Sequence, residues 1–260
     1  MSFHQVIGVR YFQFDKFPSS VAHAVFTRQG GVSPAPWDSL NVGGTVGDDV
    51  ERVRANRARL FTTLNRPLDS SFDVWLVHSA DVAYADAPRD PSLESIQADI
   101  ILTDKPNVTL YMRFADCVPV LFHDPKKGVV GISHAGWLGT VRGVSTATVK
   151  AMQAKYGCKP EDIMAAIGPS IGPDHYEIGH DVTMQVQSTF GDDVERLLHT
   201  HNGHTYLDLW MANSIQLYKA GVEQIEVAEI CTACHLEDWF SHRAEKGKTG
   251  RFGALIGLQV

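Results

Sequence analysis

The chain has 260 residues, long enough for one large domain with a continuous hydrophobic core, and 44% of them are hydrophobic. Lysine and arginine total 23 against 30 aspartate and glutamate residues, a formal net charge of -7 without any basic run, which argues against nucleic-acid or anionic-membrane binding. No apolar stretch approaches the roughly 20 residues that cross a bilayer, and the N-terminus lacks a secretory pattern, so we expect a cytoplasmic protein without a membrane span.

The first half of the chain predicts loops, one helix and a series of short strands. Residues 20 to 47 are rich in Gly, Ser and Pro and predict ordered loops between short strands. Asp48 or Asp49 can cap a helix over residues 50 to 65, where apolar residues recur near helical spacing. Strands are then predicted over residues 73 to 77, 100 to 103, 108 to 114, 118 to 122 and 129 to 133.

The second half alternates predicted helices and strands. Residues 140 to 156 predict a helix that Gly157 closes as a left-handed cap. Further elements are helices over residues 181 to 190 and 209 to 220, and strands over 163 to 167, 224 to 229 and 253 to 258. Because the sequence has no repeat and no linker, we expect a single domain spanning residues 1 to 260.

Three apolar segments run directly into a residue that can bind a metal or act in catalysis. They end at His78, Cys117 and His134. A buried strand holds such a side chain rigidly, and two imidazoles with one thiolate suit Zn²⁺ while leaving a fourth position open. The same trio could instead provide a cysteine nucleophile with a histidine base. The three positions are too far apart in sequence for a local metal motif, so spacing alone does not pair them.

From about residue 20 to the end of the chain, a series of motifs appears in the order of one known family. They are Thr27-Arg28-Gln29-Gly30-Gly31-Val32-Ser33, Ser39-Leu40-Asn41, Val46-Gly47-Asp48-Asp49, Ala115-Asp116-Cys117-Val118-Pro119-Val120, His134-Ala135-Gly136-Trp137, Ile167-Gly168-Pro169-Ser170-Ile171-Gly172-Pro173, Phe240-Ser241-His242-Arg243 and Thr249-Gly250-Arg251. In these motifs the chain resembles the laccase-domain, or YfiH-like polyphenol oxidase, family. The resemblance implies an α+β fold in which mixed β-sheets pack as a sandwich with flanking helices.

The resemblance also implies a site and an activity. His78, Cys117 and His134 correspond to the family's catalytic ligands for zinc, with copper as the alternative. Family members are associated with phosphorolysis of adenosine, inosine or methylthioadenosine and with adenosine deamination, so the expected partners are a nucleoside and phosphate. Three other readings stay open: a copper-dependent polyphenol oxidase, a Cys/His hydrolase or amidase in peptidoglycan-precursor editing, and a metal-binding adaptor. The oligomeric state stays open as well.

Polar residues in the matching segments are predicted to bind the substrate. Arg28, Arg243 and Arg251 are the candidates for phosphate, because guanidinium groups suit phosphate oxygens. Asn41 is predicted to hydrogen-bond the ribose. Deamination at a zinc site also needs a carboxylate for proton transfer, for which the candidates are Asp116 and Glu177.

The chain departs from the family pattern at two of the three ligand motifs. The first reads His78-Ser79-Ala80 instead of His-Gly-Thr, and Leu138 stands where the family has arginine. Loss of that cation predicts altered anion binding or substrate preference. In addition, His175 stands where relatives often carry cysteine.

Two further motifs suggest a metal but favour another interpretation. Cys231-Thr232-Ala233-Cys234-His235 matches c-type haem attachment, which requires an exported chain, and it lacks the nearby second ligand pair of a zinc knuckle. The tract His199-Thr200-His201-Asn202-Gly203-His204 resembles a metal chelator but is typical of a surface turn. Multicopper oxidases use several His-x-His pairs, and this chain has one.

Overall fold

The computed structural model describes residues 1 to 259. Five helices occur in this part of the chain: α1 Val50–Thr63, α2 Trp137–Val141, α3 Val144–Tyr156, α4 His180–Phe190 and α5 Leu209–Lys219. The strands are β1 Ser2–Val6, β2 Val9–Gln13, β3 Val21–Phe26, β4 Ser71–Phe72, β5 Val82–Tyr84, β6 Ile100–Thr103, β7 Thr109–Phe114, β8 Val118–Asp124, β9 Val129–Ala135, β10 Met164–Ile167, β11 Glu177–Ile178, β12 Leu198–His201, β13 His204–Leu207, β14 Gln224–Val227 and β15 Phe252–Leu258.

The strands form two large mixed sheets and one small sheet. Sheet 1 is six-stranded with the order β1-β2-β3-β15-β7-β4, and sheet 2 is six-stranded with the order β14-β10-β8-β9-β6-β5. Both sheets contain mainly antiparallel pairs, with parallel pairs at β4-β7, β5-β6 and β10-β14. The strands β11, β13 and β12 form the separate three-stranded sheet.

Side chains from the two large sheets meet in a central hydrophobic layer. In β8, Leu121 faces this layer, whereas Val120 and Phe122 face the opposite side, as the two-residue period of a strand requires. Helices α3 and α5 cover the outer face of sheet 2, and α1 covers the outer face of sheet 1 with Leu60 and Phe61. The molecule is therefore an α+β sandwich of mixed sheets with flanking helices, which confirms the expected fold class.

Local capping explains where two of the helices begin and end. The Asp49 carboxylate accepts hydrogen bonds from the amides of Glu51 and Arg52 at the start of α1. Gly157 ends α3 in the left-handed conformation, with φ of 66°. The predicted helix over residues 140 to 156 is divided, because Gly143 is also left-handed, with φ of 80°, and separates α2 from α3.

The predicted strand over residues 73 to 77 is wrong. The strand in this region is β4, which pairs with β7 and ends at Phe72. Beyond it the backbone makes only an isolated bridge between Trp75 and Gln97, and it then turns to bring His78 towards sheet 2.

The histidine tract forms the hairpin of β12 and β13, whose tight turn is Asn202-Gly203 with φ of 51° and 81°. None of the helices in residues 1 to 259 has the length and apolar character to span a membrane.

His23 in β3 is a buried histidine that the fold holds in its neutral form. Its side chain is 4% exposed, and its Nε2 accepts a hydrogen bond from the Phe14 amide at 3.1 Å. Burial lowers the pKa of His23 from 6.5 to about 4. Because the unfolded chain takes up this proton near pH 6.5 and the folded chain does not, stability falls as the pH drops through this window.

We expect His23 to reduce the free energy of unfolding by about 2 kcal/mol between pH 7 and pH 5. Urea unfolding of the wild type and of His23→Gln across this range measures the difference in slope. The variant should be less stable at pH 7, since it loses ring packing against Phe17, but less sensitive to acid. Equal pH slopes for the two proteins would contradict the assignment. His123, whose pKa is also lowered by burial, contributes to the slope that remains.

Candidate active site

Asp99 organises one side of the site although it provides no ligand atom itself. It lies directly before β6, is fully buried, and accepts a hydrogen bond from His134 Nδ1 on its Oδ1 at 2.8 Å. Its Oδ2 accepts from the backbone amides of Val77 and Ser79 at 3.0 and 2.7 Å. These two amides flank His78, whose φ of 57° lets both of them converge on one oxygen. A single carboxylate therefore orients two of the three predicted ligands.

Cys117 reaches the site through the connection between the two sheets. It lies between β7 of sheet 1 and β8 of sheet 2, and the register of β8 with β9 places Pro119 opposite His134. This register brings Cys117 beside Gly136. A Cβ atom at Gly136 would lie 3.0 Å from Cys117 Sγ and 3.0 Å from His78 Cδ2, so glycine leaves the space in which the trio closes.

The ligand atoms of His78, Cys117 and His134 all lie within 4.8 Å of one another. The imidazole rings of His78 and His134 meet edge to face with centroids 5.0 Å apart. Burial raises the pKa of the Cys117 thiol, but the positive charge of His134 and hydrogen bonds from both histidines outweigh it and lower the pKa to about 6. Burial lowers the pKa of His134, whereas the Cys117 thiolate and Asp99 raise it to about 9.

The donor set fits a zinc or copper ion. A thiolate and two imidazoles are ligands that both metals accept, and three ligands leave an open position. The His134–Asp99 bond is the carboxylate contact that commonly stands behind a metal-bound histidine.

The trio opens into a cleft of about 620 Å³ with an unusual concentration of arginine. Asp73 is the single carboxylate among the described residues that line it. Asp73 pairs with Arg113 at 3.1 Å and with Arg89 at 3.5 Å, so one carboxylate faces four arginines. The positive lining contrasts with the net charge of -7 of the whole chain. The lining comprises Gly43, Gly44, Thr45, Arg57, Asp73, Val74, Trp75, Leu76, His78, Arg89, Ser95, Arg113, Ala115, Cys117, His134, His242 and Arg251.

Of the three predicted phosphate-binding arginines, the structure brings only Arg251 into the cleft. Arg251 precedes β15, and its guanidinium donates to the Thr249 and Gly250 carbonyls. Burial lowers the pKa of Arg251, and the negative charges of Cys117 and Asp116 act in the opposite direction.

Arg28 and Arg243 lie outside the cleft lining. The Arg28 guanidinium donates to the carbonyls of Asp38 and Leu236, pairs with Glu245 at 3.1 Å and stacks on Phe240. These contacts occupy it with protein partners, so we assign it no phosphate contact.

The Arg243 guanidinium donates to the Glu177 carbonyl at 2.8 Å and lies over the Tyr176 ring.

Asn41 is fully buried, and its Oδ1 accepts hydrogen bonds from the Gly43 and Arg251 amides. Asn41 therefore positions two segments of the cleft wall, and we assign it no contact with ribose.

The two predicted proton-transfer carboxylates are engaged elsewhere. Asp116 accepts from Thr232 Oγ1 at 2.7 Å and from the Arg243 amide at 2.6 Å, and its φ is 82°. It is thereby fixed to the C-terminal segment instead of facing the open side of the trio. Glu177 contacts His204 at 2.6 Å on the exposed small sheet. Leu138 lies in α2 and is not part of the cleft lining.

Sequence reasoning missed several residues that the structure places at the site. Asp99 stands at the start of an apolar strand, and Arg113 interrupts the apolar run of β7. A charged residue at such a position is an available signal, because buried strands rarely carry one without a partner. Arg57, Arg89 and Trp75 lie in the helix and loop segments around the cleft and carry no comparable signal.

A family model described as multi-copper polyphenol oxidoreductase laccase matches residues 22 to 259. The chain belongs to this family. A purine nucleoside phosphorylase of Deinococcus radiodurans is 40% identical over 241 residues, which cover 92% of this chain and 90% of that protein. Purine nucleoside phosphorylase YlmD of Geobacillus stearothermophilus is 38% identical over 250 residues, covering 93% and 91% of the two chains.

Solved structures of family members share the fold over nearly the whole chain. The crystal structure of YlmD from Geobacillus stearothermophilus has a TM-score of 0.91 at 36% identity and covers 99% of both chains. A hypothetical protein YfiH from Bacillus licheniformis has a TM-score of 0.91 at 33% identity, again with 99% of both chains covered. The family resemblance that the sequence motifs indicate is thereby confirmed.

Proposed function

We propose that this chain is a zinc-dependent purine nucleoside phosphorylase that acts on adenosine, inosine or methylthioadenosine. The observation that carries the proposal is the cleft, which combines the His78, Cys117 and His134 trio with four arginines in an acidic protein. The names of the relatives from Deinococcus radiodurans and Geobacillus stearothermophilus support the same reaction class. A phosphate dianion is the co-substrate that such a lining would hold.

In phosphorolysis, a phosphate oxygen bonds to C1′ of the ribose while the bond from C1′ to the purine nitrogen breaks. The electron pair of that bond leaves with the base, which takes up a proton, and the products are ribose 1-phosphate and free base. Arg251 is the arginine we assign to the phosphate, because the Arg113 guanidinium already donates to Asp73 and to the Val74 carbonyl. The remaining cleft arginines offset the negative charge of the phosphate dianion held beside the sugar, which gains cationic character as the bond to the base breaks.

Aromatic surface at the rim of the cleft suits the purine. Trp75 lines the cleft and is 52% exposed, which leaves an indole face open to a flat base. Asp73 pairs with Arg89 and Arg113 and fixes the positions of both guanidinium groups. The cleft thus provides separate regions for base and anion.

A zinc ion held by His78, Cys117 and His134 would supply Lewis acidity and would lower the pKa of water in the open position, and copper would use the same ligands. Asp99 keeps His134 in the tautomer that presents Nε2 to the site. Adenosine deamination, in which water replaces ammonia at the purine, is a second activity that the open position supports. Its proton-transfer group is not Asp116 as oriented here, since both carboxylate oxygens are hydrogen-bonded.

The Cys117, His134 and Asp99 arrangement also supports a hydrolase. A thiol with a pKa of about 6 beside a histidine that is oriented by a carboxylate is the chemistry of a cysteine nucleophile. Such an enzyme would act on an acyl group, as in peptidoglycan-precursor editing, and would not need the metal. Activity after metal removal separates the two candidates.

We expect release of purine base to require phosphate, yielding ribose 1-phosphate from adenosine or inosine and methylthioribose 1-phosphate from methylthioadenosine. Chromatography of the products, with phosphate present or withheld, measures this. Cys117→Ser should lower the rate by at least ~100-fold, since a lost ligand costs more than a lost partner behind a ligand. Cys158→Ala is the matched control, because Cys158 is buried in the helix-covered core far from the cleft lining.

Base release that is indifferent to phosphate would contradict phosphorolysis and favour hydrolysis. Ammonia without base release would leave deamination as the activity. Dioxygen consumption with a phenol and copper would favour the polyphenol oxidase. Turnover that survives complete metal removal but not Cys117→Ser would favour the cysteine hydrolase.

A further inference from the structure

A second cluster of metal-binding side chains lies outside the cleft. Its members are Asp174, His175, Cys231 and Cys234, whose ligand atoms all lie within 4.8 Å of one another. They come from two distant segments, one following Gly172 and the other containing the Cys-x-x-Cys pair. No second pair of ligands lies near the two cysteines in the sequence. The fold brings Asp174 and His175 to them and thereby completes a set of four ligands.

We infer that these four residues bind a structural zinc ion. The donors are two sulfurs, one imidazole nitrogen and one carboxylate oxygen, a complete tetrahedral set for a closed zinc site. Zinc bonds of about 2.3 Å to sulfur and 2.0–2.1 Å to nitrogen or oxygen require sulfur–nitrogen separations of about 3.5 Å and nitrogen–oxygen separations of about 3.3 Å.

The distances between the donors already match such a site. His175 Nδ1 lies 3.8 Å from Cys231 Sγ and 3.5 Å from Cys234 Sγ. The Asp174 Oδ2 atom lies 3.3 Å from Cys234 Sγ and 3.0 Å from His175 Nδ1. His235, which completes the haem-like motif, takes no part and instead contacts Glu237 at 3.2 Å.

Gly172 and the backbone around it support the cluster. Its amide donates to Cys231 Sγ at 3.2 Å, the kind of hydrogen bond that stabilises a metal-bound thiolate. A Cβ atom at Gly172 would lie 2.7 Å from Asp174 Oδ1 and 3.1 Å from Cys231 Cβ, so only glycine lets the two segments close on one another.

A metal ion here would clamp the wall that supports Cys117. Thr232, inside the Cys-x-x-Cys loop, donates to Asp116 at 2.7 Å, and its amide donates to the Ser170 carbonyl. The Ile171 amide donates to the Asp116 carbonyl. Both segments of the cluster therefore hold the residue that directly precedes Cys117, which gives the ion a structural role.

Elemental analysis of zinc-loaded protein tests the inference, best in a Cys117→Ser background in which the trio lacks its thiolate. We expect one zinc equivalent to remain in Cys117→Ser and to be lost in Cys117→Ser with Cys234→Ser. Cys234 is exposed, so this substitution should leave the fold intact. His235→Ala is the matched control and should retain the metal.

A second pair of variants tests the ligand role of His175 directly. His175→Ala should lose the metal, whereas His175→Cys should keep it, because a thiolate is also a zinc ligand. Cobalt in place of zinc should show a sulfur-to-metal absorption band that weakens in Cys234→Ser. Zinc content that is unchanged by Cys234→Ser, or a Cys231–Cys234 disulfide in protein purified under reducing conditions, would overturn the site. Neither result bears on phosphorolysis in the cleft.

Discussion

Asp99→Asn is expected to lower nucleoside turnover by about 10- to 100-fold and to weaken zinc retention at the trio. The carboxylate accepts hydrogen bonds from His134 Nδ1 and from the Val77 and Ser79 amides, so both of its oxygens must act as acceptors. An asparagine amide would present two hydrogens to one of these donors, so at least one hydrogen bond is lost and the His134 ring is freed to rotate. The unmatched buried group should also cost about 1–3 kcal/mol of stability.

Asp124→Asn is the matched control for Asp99→Asn. Asp124 is also fully buried in sheet 2 and also accepts two backbone amides, those of Lys126 and Lys127 at 2.8 and 3.0 Å. Both amides donate to Oδ1 and Oδ2 has no partner among the described residues, so an asparagine can keep both hydrogen bonds. Asp124→Asn should therefore keep zinc and turnover, whereas Asp99→Asn should lose both together with stability. Turnover, zinc content and melting temperature are measured for both variants. Wild-type turnover in Asp99→Asn would contradict the orienting role, and an equal loss in Asp124→Asn would show that removing any buried carboxylate charge from this sheet has the same effect.

Short-range chemistry is the part of this fold that the sequence predicts well. The caps at Asp49 and Gly157 and the strand β6 follow from residues within one or two turns of each other. The strands β8 and β9 are equally predictable, because both of their faces are buried and their sequences are therefore continuous apolar runs. Strand β1 could not be predicted from caps or from an apolar run, because it is polar and largely exposed and pairs only with β2.

Long-range register is the part that one sequence does not predict. His78, Cys117 and His134 converge because Pro119 pairs with His134 and because Asp99 reaches back to the His78 loop. Neither pairing leaves a local pattern. The family resemblance supplied the trio for this reason, whereas Asp99, which carries no motif of its own, became apparent only in three dimensions.

The binding partners of the arginines are likewise not predictable from the sequence. A guanidinium suits a phosphate and a set of backbone carbonyls equally well, and sequence motifs cannot tell which it meets. Arg28 meets carbonyls and Glu245, while Arg113 enters the cleft from a strand whose other residues are buried and apolar. Charge type was therefore predictable, and the partner was not.

Arg251→Met is expected to raise the KM for phosphate by about one to two decades, as the loss of charge-assisted hydrogen bonds worth about 1.5–3 kcal/mol implies. The side chain lines the cleft and donates to main-chain carbonyls on one side only, through its NH1 group. Its NH2 group is left for the substrate. Steady-state kinetics with varied phosphate at saturating nucleoside measures the change.

Arg243→Met is the comparison for Arg251→Met. The sequence predicts both arginines as phosphate ligands, but only Arg251 lines the cleft. Arg243 is exposed, and its guanidinium bonds the Glu177 carbonyl outside the cleft lining, so the KM for phosphate should stay within about twofold of wild type. Zinc content should be unchanged in both variants, and Arg251→Lys should recover part of the loss, since lysine keeps the charge but not the planar fork. A larger effect at Arg243 than at Arg251 would mean that phosphate enters from the Tyr176 side of Cys117, and the anion site would then have to be moved there.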